Sequence, residues 1–102
     1  MNDHEERFSN MPWDQVSEVA RQKVIDTGEK RIRLLELSAG FREQDWCDRG
    51  HTGYVIAGSL DVEFQNHHQS YDKGEPLLIS SGEPHKARVL TGTTCLFLVD
   101  DV

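Results

Sequence analysis

The segment 45–51 concentrates side chains that bind transition metals, because it contains Asp45, Cys47 and His51. Alternate residues of an extended chain point to the same side, so the Asp45 carboxylate and the Cys47 thiol can converge on one ion. The loop at 48–50 can then reverse the chain and return the His51 imidazole to that point. A thiolate and an imidazole together favour zinc, copper, nickel or iron over magnesium or calcium.

One further histidine, His85, is expected to approach this segment from an opposite strand. A divalent transition metal needs three or four nitrogen, sulfur or oxygen donors at about 2.0–2.3 Å. The predicted metal ligands are therefore His51, His85, Cys47 and Asp45. The predicted cofactor is a divalent transition metal, either zinc, iron, nickel or copper.

Each of these side chains also has an ordinary structural role. His51 and His85 can hydrogen-bond loop backbone, and Asp45 can cap a turn. Cys47 can be a small buried hydrophobic residue, which is the commonest role of a free cysteine. Cys47 can also act as a nucleophile if a neighbouring histidine serves as its base, although the sequence has no oxyanion-hole signature.

Short apolar runs separated by glycine-centred turns predict that these residues are positioned by an all-β fold. In 59–64, alternation directs Leu60, Val62 and Phe64 to the core and the residues between them to water. The predicted strands are 23–26, 31–37, 54–56, 59–64, 77–79, 85–90 and 94–99. The segment 17–25 also has a partial helical pattern, so a helix there remains an alternative.

The strand at 54–58 reads Tyr-Val-Ile-Ala-Gly and follows the metal-binding segment directly. This arrangement resembles the first motif of the cupin family of jelly-roll proteins. In that motif, two histidines separated by one residue and a glutamate four residues later precede an aromatic-Val-Leu-x-Gly strand. The resemblance aligns His51 with the glutamate, and Cys47 and Asp45 with the two histidines.

The segment 80–85 reads Ser-Ser-Gly-Glu-Pro-His and is similar to the second cupin motif, Pro-x-Gly-x-x-His. It keeps Gly82 and His85 and has serine in place of the proline. The resemblance implies a barrel whose open end holds a metal on inward-facing side chains beside a small-molecule site. Dioxygenase or isomerase chemistry is compatible with it. The alternative is a non-catalytic binding or sensing protein with a degenerate, metal-free site.

The composition excludes several classes of partner. The chain has 102 residues and a net charge of −7, so it lacks the clustered basic residues that nucleic acids and anionic membranes require. Its polar N-terminus has no apolar run of the secretory type. Two cysteines, Cys47 and Cys95, are too few for a disulfide framework and predict a cytoplasmic protein, with a single Cys47–Cys95 bridge as the alternative.

The predicted organisation is an irregular N-terminal arm at 1–16 followed by one jelly-roll barrel at 17–102. The length of the chain supports one domain. An open β structure of this size gains stability when a partner covers an edge or an apolar face, so a homodimer is expected.

Overall fold

The computed structural model describes residues 8–101, and nine strands account for most of the regular structure in this part of the chain. They are β1 (Asp14–Ser17), β2 (Ala20–Asp26), β3 (Lys30–Ser38), β4 (His51–Ala57), β5 (Ser59–Phe64), β6 (His68–Asp72), β7 (Pro76–Ile79), β8 (His85–Arg88) and β9 (Thr93–Asp101). Residues 8 and 9 are helical. Within 8–101, no helix has the length and apolar character needed to cross a membrane.

The strands form two antiparallel sheets. The larger sheet has the order β1-β2-β3-β9-β4-β7, and the smaller has the order β6-β5-β8. Leu37, Val55 and Leu96 from the larger sheet share one core with Leu60 and Val62 from the smaller sheet. The predicted all-β jelly roll is therefore confirmed. In the described residues it takes the form of two facing sheets, because no strand ladder joins them into a closed barrel.

Alternation along the strands builds the core. β5 buries Leu60, Val62 and Phe64, as the sequence predicts. β9 lies between β3 and β4 and buries Leu96 and Leu98 in the same way. Complete burial of a leucine or valine side chain stabilises a fold by about 1.5–3 kcal/mol, so these two central strands fix the position of the others.

The helical alternative for 17–25 is wrong. β2 pairs residue by residue with β3, from the Ala20–Leu37 pair to the Asp26–Arg31 pair. This ladder satisfies the backbone groups of the segment and outweighs a weak local helical pattern.

Only part of the predicted arm at 1–16 is described, and residues 1–7 lie outside the described part of the chain. The Phe8 ring packs edge-on against Phe97 with its centroid 6.4 Å away. The Lys23 ammonium donates a hydrogen bond of 2.7 Å to the Phe8 carbonyl oxygen. Strand structure begins at Asp14, the first residue of β1.

Candidate functional site

His51 begins β4, where it pairs with Asp100 of β9 on one side and with Ile79 of β7 on the other. Its Nδ1 atom lies 2.7 Å from Oδ1 of Asp100. A carboxylate accepts hydrogen bonds, so Nδ1 carries a proton, and Nε2 is the ring nitrogen that is left to act as a metal donor. The side chain of His51 is therefore oriented as a nitrogen donor.

His85 begins β8 and is almost completely buried, with 2% of its surface exposed. Its Nδ1 lies 2.9 Å from the Glu83 carbonyl oxygen and donates a hydrogen bond to it. Its Nε2 is buried and has no hydrogen-bond partner among the described residues. The His85 and His51 rings meet edge to face with their centroids 5.2 Å apart.

Cys47 reaches this pair of histidines from the connection between β3 and β4. Its backbone N–H donates to the His85 carbonyl oxygen, and the His85 N–H donates to the Cys47 carbonyl oxygen, both at 2.9 Å. This reciprocal pair of hydrogen bonds holds the two residues directly opposite each other. The Cys47 thiol is half-buried and is not part of a disulfide.

Cys47 is the last residue of a longer stretch, residues 40–47, which is here called the edge segment. It runs alongside β8, which is an outer strand of the smaller sheet. At one end the Val89 N–H donates to the Phe41 carbonyl oxygen, and at the other end lies the Cys47–His85 pair. The Glu43 N–H donates to the Ala87 carbonyl oxygen between them. The edge segment therefore covers the otherwise open side of β8.

Three of the four predicted ligands come together. The donor atoms of Cys47, His51 and His85 all lie within 4.8 Å of one another. Donors that share one tetrahedral zinc ion at about 2.0–2.3 Å lie roughly 3.3–3.8 Å apart, so small side-chain movements bring this set to coordination distance. The three residues are here called the Cys-His-His cluster.

Asp45 does not belong to this cluster in the described residues. Its side chain is exposed, although it lines the same cavity. The chain bends at 44 and 45, so Asp45 and Cys47 do not share one face of a strand.

Asp100 and Arg33 are functional candidates that the sequence interpretation missed. Asp100 is 2% exposed, and its second oxygen accepts a hydrogen bond of 2.6 Å from Arg33 Nε. Burial alone would raise the pKa of the Asp100 carboxyl, but the hydrogen bond from His51 and the charge of Arg33 outweigh it and hold this pKa below its ordinary value. Asp100 lies on the same inward face of β9 as Leu96 and Leu98. The alternation along this strand could therefore have indicated from the sequence that Asp100 faces inward.

A cavity of about 650 Å³ lies between the sheets and includes the Cys-His-His cluster in its wall. Its apolar lining comes from both sheets and the edge segment and includes Leu35, Leu37, Phe41, Leu60, Leu96 and Leu98. Exposed residues of 44–49 also line it, so the cavity opens to solvent beside Cys47. Its volume lies within the range typical of small-molecule sites, roughly 300–1,000 Å³.

No family model matches the sequence, and the search of curated proteins finds no match either. Solved structures are similar over almost the whole chain. KdgF from Halomonas sp. has a TM-score of 0.75 and 16% sequence identity, with 92% of this chain and 91% of that chain covered. A cupin-2 domain containing protein from Shewanella frigidimarina has a TM-score of 0.67 and 16% identity, with 99% and 94% covered.

Oxalate decarboxylase from Bacillus subtilis is a third similar structure, with a TM-score of 0.75 and 18% identity. The similarity covers 92% of this chain and 28% of that chain. Two facing antiparallel sheets with a cavity and a Cys-His-His cluster between them define a small jelly-roll protein. Its fold is the cupin fold, which confirms the resemblance drawn from the strand and loop motifs.

Proposed function

We propose that this protein binds one divalent transition metal through Cys47, His51 and His85 and presents it to a small molecule in the adjoining cavity. The observation that carries the proposal is the buried Nε2 of His85, which has no hydrogen-bond partner within residues 8–101 and lies in a group of three converging donors. A buried acceptor without a partner costs about 1–3 kcal/mol. A metal ion bound by this atom removes that cost.

The hydrogen bonds around the cluster support the same proposal. Ligating histidines commonly donate their second ring N–H to a carboxylate or a backbone carbonyl oxygen. His51 donates to Asp100, and His85 donates to the Glu83 carbonyl. Both rings are thereby held in the tautomer that leaves Nε2 free to bind a metal.

The donor set supports zinc, iron, nickel or copper, because a thiolate and two imidazoles are softer ligands than carboxylates. A similar structure, the Bacillus subtilis oxalate decarboxylase, has Mn(II) centres. The thiol of Cys47 makes manganese a poorer match for this chain than zinc. Three protein ligands leave one coordination position free for a small molecule, where the ion would act as a Lewis acid.

The test is the metal content of protein purified without added metal and then loaded separately with zinc, iron(II), nickel or copper(II). We expect about one equivalent of at least one of these metals in the wild type, and its loss in His51→Ala and His85→Ala. We expect Cys47→Ser to weaken the binding. His68→Ala removes an exposed histidine of β6 and Cys95→Ser removes the second thiol, so both controls should keep the metal.

The absence of metal under every loading condition would contradict the proposal and favour a metal-free binding or sensing protein. An equal loss of metal in His68→Ala and His85→Ala would contradict it as well, because binding would then not depend on the Cys-His-His cluster.

We also propose that two copies of the chain associate through the outer face of the larger sheet. Tyr54, Ile56 and Leu78 lie on this face of β4 and β7, with 46%, 36% and 74% of their surfaces exposed. Contiguous exposed apolar side chains of this kind commonly mark an interface.

A cytoplasmic location remains a proposal, supported by two cysteines that are both free. The net charge of −7 supports the further proposal that neither a nucleic acid nor an anionic membrane is a partner.

A further inference from the structure

We propose that the cavity binds a small monocarboxylate with an apolar body, whose carboxylate group lies between the Cys-His-His cluster and the guanidinium of Arg33. The metal end of this arrangement rests on the proposed function, whereas the arginine end and the apolar walls do not. The proposal therefore names the class of small molecule that the site accepts.

The position of Arg33 is the first observation. Arg33 lies in β3 on the same inward face as Leu35 and Leu37, and all three side chains line the cavity. An arginine beside Leu35 and Leu37 on the inward face of a strand is uncommon unless it is paired. Its Nε donates to Asp100, and its Nη1 lies 3.5 Å from Oε1 of Gln22.

These two contacts leave donor capacity on the guanidinium. An arginine has five N–H donors in a planar fork, and the contacts among the described residues use two of them. A carboxylate is the ligand group that matches the remaining donors in both charge and geometry.

Asp100 connects the arginine to the metal end of the site. One of its oxygens accepts from Arg33 and the other accepts from His51, so these two side chains lie on either side of a single carboxylate. A small anionic group in the cavity can therefore approach both the guanidinium and the ion held by His51.

The charges of the site favour one negative charge on the ligand. Arg33 and Asp100 form an ion pair and cancel. Around the Cys-His-His cluster, a divalent ion together with the Cys47 thiolate then leaves a net charge of plus one. The other charged residues that line the cavity lie in the connection between β3 and β4 and are Glu43, Asp45, Asp48 and Arg49. One carboxylate neutralises the net charge at the cluster, whereas a second carboxylate would be moved from water into an apolar cavity without a partner, which is costly.

The walls of the cavity specify the rest of the ligand. Leucine side chains from both sheets and the Phe41 ring line the space beyond the cluster, within a cavity of about 650 Å³. Contact between an apolar wall and a hydrocarbon chain removes apolar surface of both from water. This burial stabilises the bound state by about 25 cal/mol per Å². A medium-length aliphatic carboxylate can place its hydrocarbon chain against the apolar walls and its carboxylate group at the charged end of the cavity.

The test compares three probes of equal chain length by calorimetry: octanoate, its neutral amide octanamide, and the dicarboxylate octanedioate. We expect octanoate to bind zinc-loaded protein at least about tenfold more tightly than either of the others, because hydrogen bonds to a charged group are the strong ones. This comparison uses the wild-type protein and does not depend on the folding of any variant.

Substitutions of Arg33 then test whether the preference for octanoate depends on its guanidinium group. Arg33→Gln should reduce the preference for octanoate over octanamide by about tenfold. Arg33→Lys should retain part of it, because the charge remains and the planar fork is lost. Arg21→Gln is the matched control, since Arg21 of β2 makes an arginine–carboxylate pair with Glu36 of β3 and is not among the residues that line the cavity. It should leave the preference unchanged.

Equal binding of octanoate and octanamide, or equal effects of Arg33→Gln and Arg21→Gln, would overturn the proposal. Zinc stoichiometry is measured on the same samples and separates the two proposals. One equivalent of zinc without a preference for octanoate overturns only the ligand class. An Arg33-dependent preference without bound zinc supports carboxylate recognition and overturns only the metal site.

Discussion

The Asp100 carboxylate accepts a hydrogen bond of 2.7 Å from Nδ1 of His51 across the β4–β9 pair. This contact fixes the tautomer and the orientation of the imidazole. The same carboxylate is held by Arg33 on its other side, so three charged or polar side chains form a continuous chain on the inner face of the larger sheet. The contact makes Asp100 as informative a target for mutagenesis as the ligands themselves.

Replacing Asp100 with asparagine should weaken metal binding without abolishing it. The variant keeps the size of the side chain but loses the anionic acceptor that orients His51. Losing a partner of this kind typically costs ~10–100-fold in metal affinity. Competition with a chromophoric zinc chelator measures the change. Asp61→Asn, which breaks the ion pair with Arg88 in the smaller sheet, is the control and should bind zinc as the wild type does.

Asp100 also predicts a dependence of stability on pH in the metal-free protein. Its pKa in the folded state is lower than the ordinary value of 3.8. Its stabilising contribution is therefore complete above that value and is lost as the pH falls through the lower pKa of the folded state. The difference in melting temperature between the wild type and Asp100→Asn should be largest near neutral pH and should shrink below about pH 4. A difference that is constant down to strongly acidic pH would contradict this prediction.

The Cys95 thiol should react more slowly with iodoacetamide than the thiol of an unstructured cysteine. Burial raises the pKa of the Cys95 thiol, Glu36 raises it further, and Arg21 lowers it only in part. A smaller thiolate fraction at a given pH slows alkylation, so the rate for Cys95 should rise only at a more alkaline pH than the rate for an unstructured cysteine.

Zinc should protect the Cys47 thiol from alkylation and should not protect the Cys95 thiol. Coordination of Cys47 blocks its sulfur, whereas Cys95 lies outside the Cys-His-His cluster and serves as an internal control. Peptide mass spectrometry resolves the two alkylation rates in a single sample. Equal protection of both residues would indicate general stabilisation of the fold and not coordination of Cys47.

Gly50→Ala should reduce zinc binding by moving His51. A Cβ atom at position 50 would lie 2.8 Å from the Ser81 backbone nitrogen and 3.1 Å from the Ile79 carbonyl oxygen. Because these are backbone atoms, the chain that leads into β4 has to shift, at a cost of about 1–3 kcal/mol. Thr52→Ala on the other side of His51 changes an exposed side chain and is the control. Thermal melts and zinc titrations of both variants check the prediction.

The proposed dimer predicts that Leu78→Lys produces a monomer. The substitution places a charge on the outer face of β7, opposite Thr52 of β4, the strand that also exposes Tyr54 and Ile56. Leu90→Lys is the matched control, because Leu90 is 65% exposed and Leu78 is 74% exposed, but Leu90 lies outside β4 and β7. Light scattering after size exclusion measures the mass. A wild-type protein that stays monomeric at all concentrations would refute the dimer.

Much of the fold was predictable because it depends on local alternation. The pattern of β5 places Leu60, Val62 and Phe64 in the core, and the spacing from 45 to 58 placed His51 and Cys47 among the candidate ligands. The segment 17–25 was ambiguous because its weak helical pattern competes with a ladder to β3, and this pairing partner is distant in sequence.

The rest of the site depends on contacts that spacing cannot reveal. Asp45 and Cys47 were expected to share one face, but the bend at 44 and 45 removes the alternation on which this expectation depended. Asp100 and Arg33 are inward residues at the ends of apolar runs. Their pairing follows from the antiparallel register of β3 and β9, which the sequence does not specify.

The edge segment has a consequence for solubility. It occupies the hydrogen-bonding groups of β8 that would otherwise be available to a strand of another molecule, and open strand edges promote aggregation. The same stretch of backbone carries Cys47. Anchoring this cysteine to a metal would therefore also protect the chain from self-association, and a release of Cys47 would expose a template for intermolecular β-pairing.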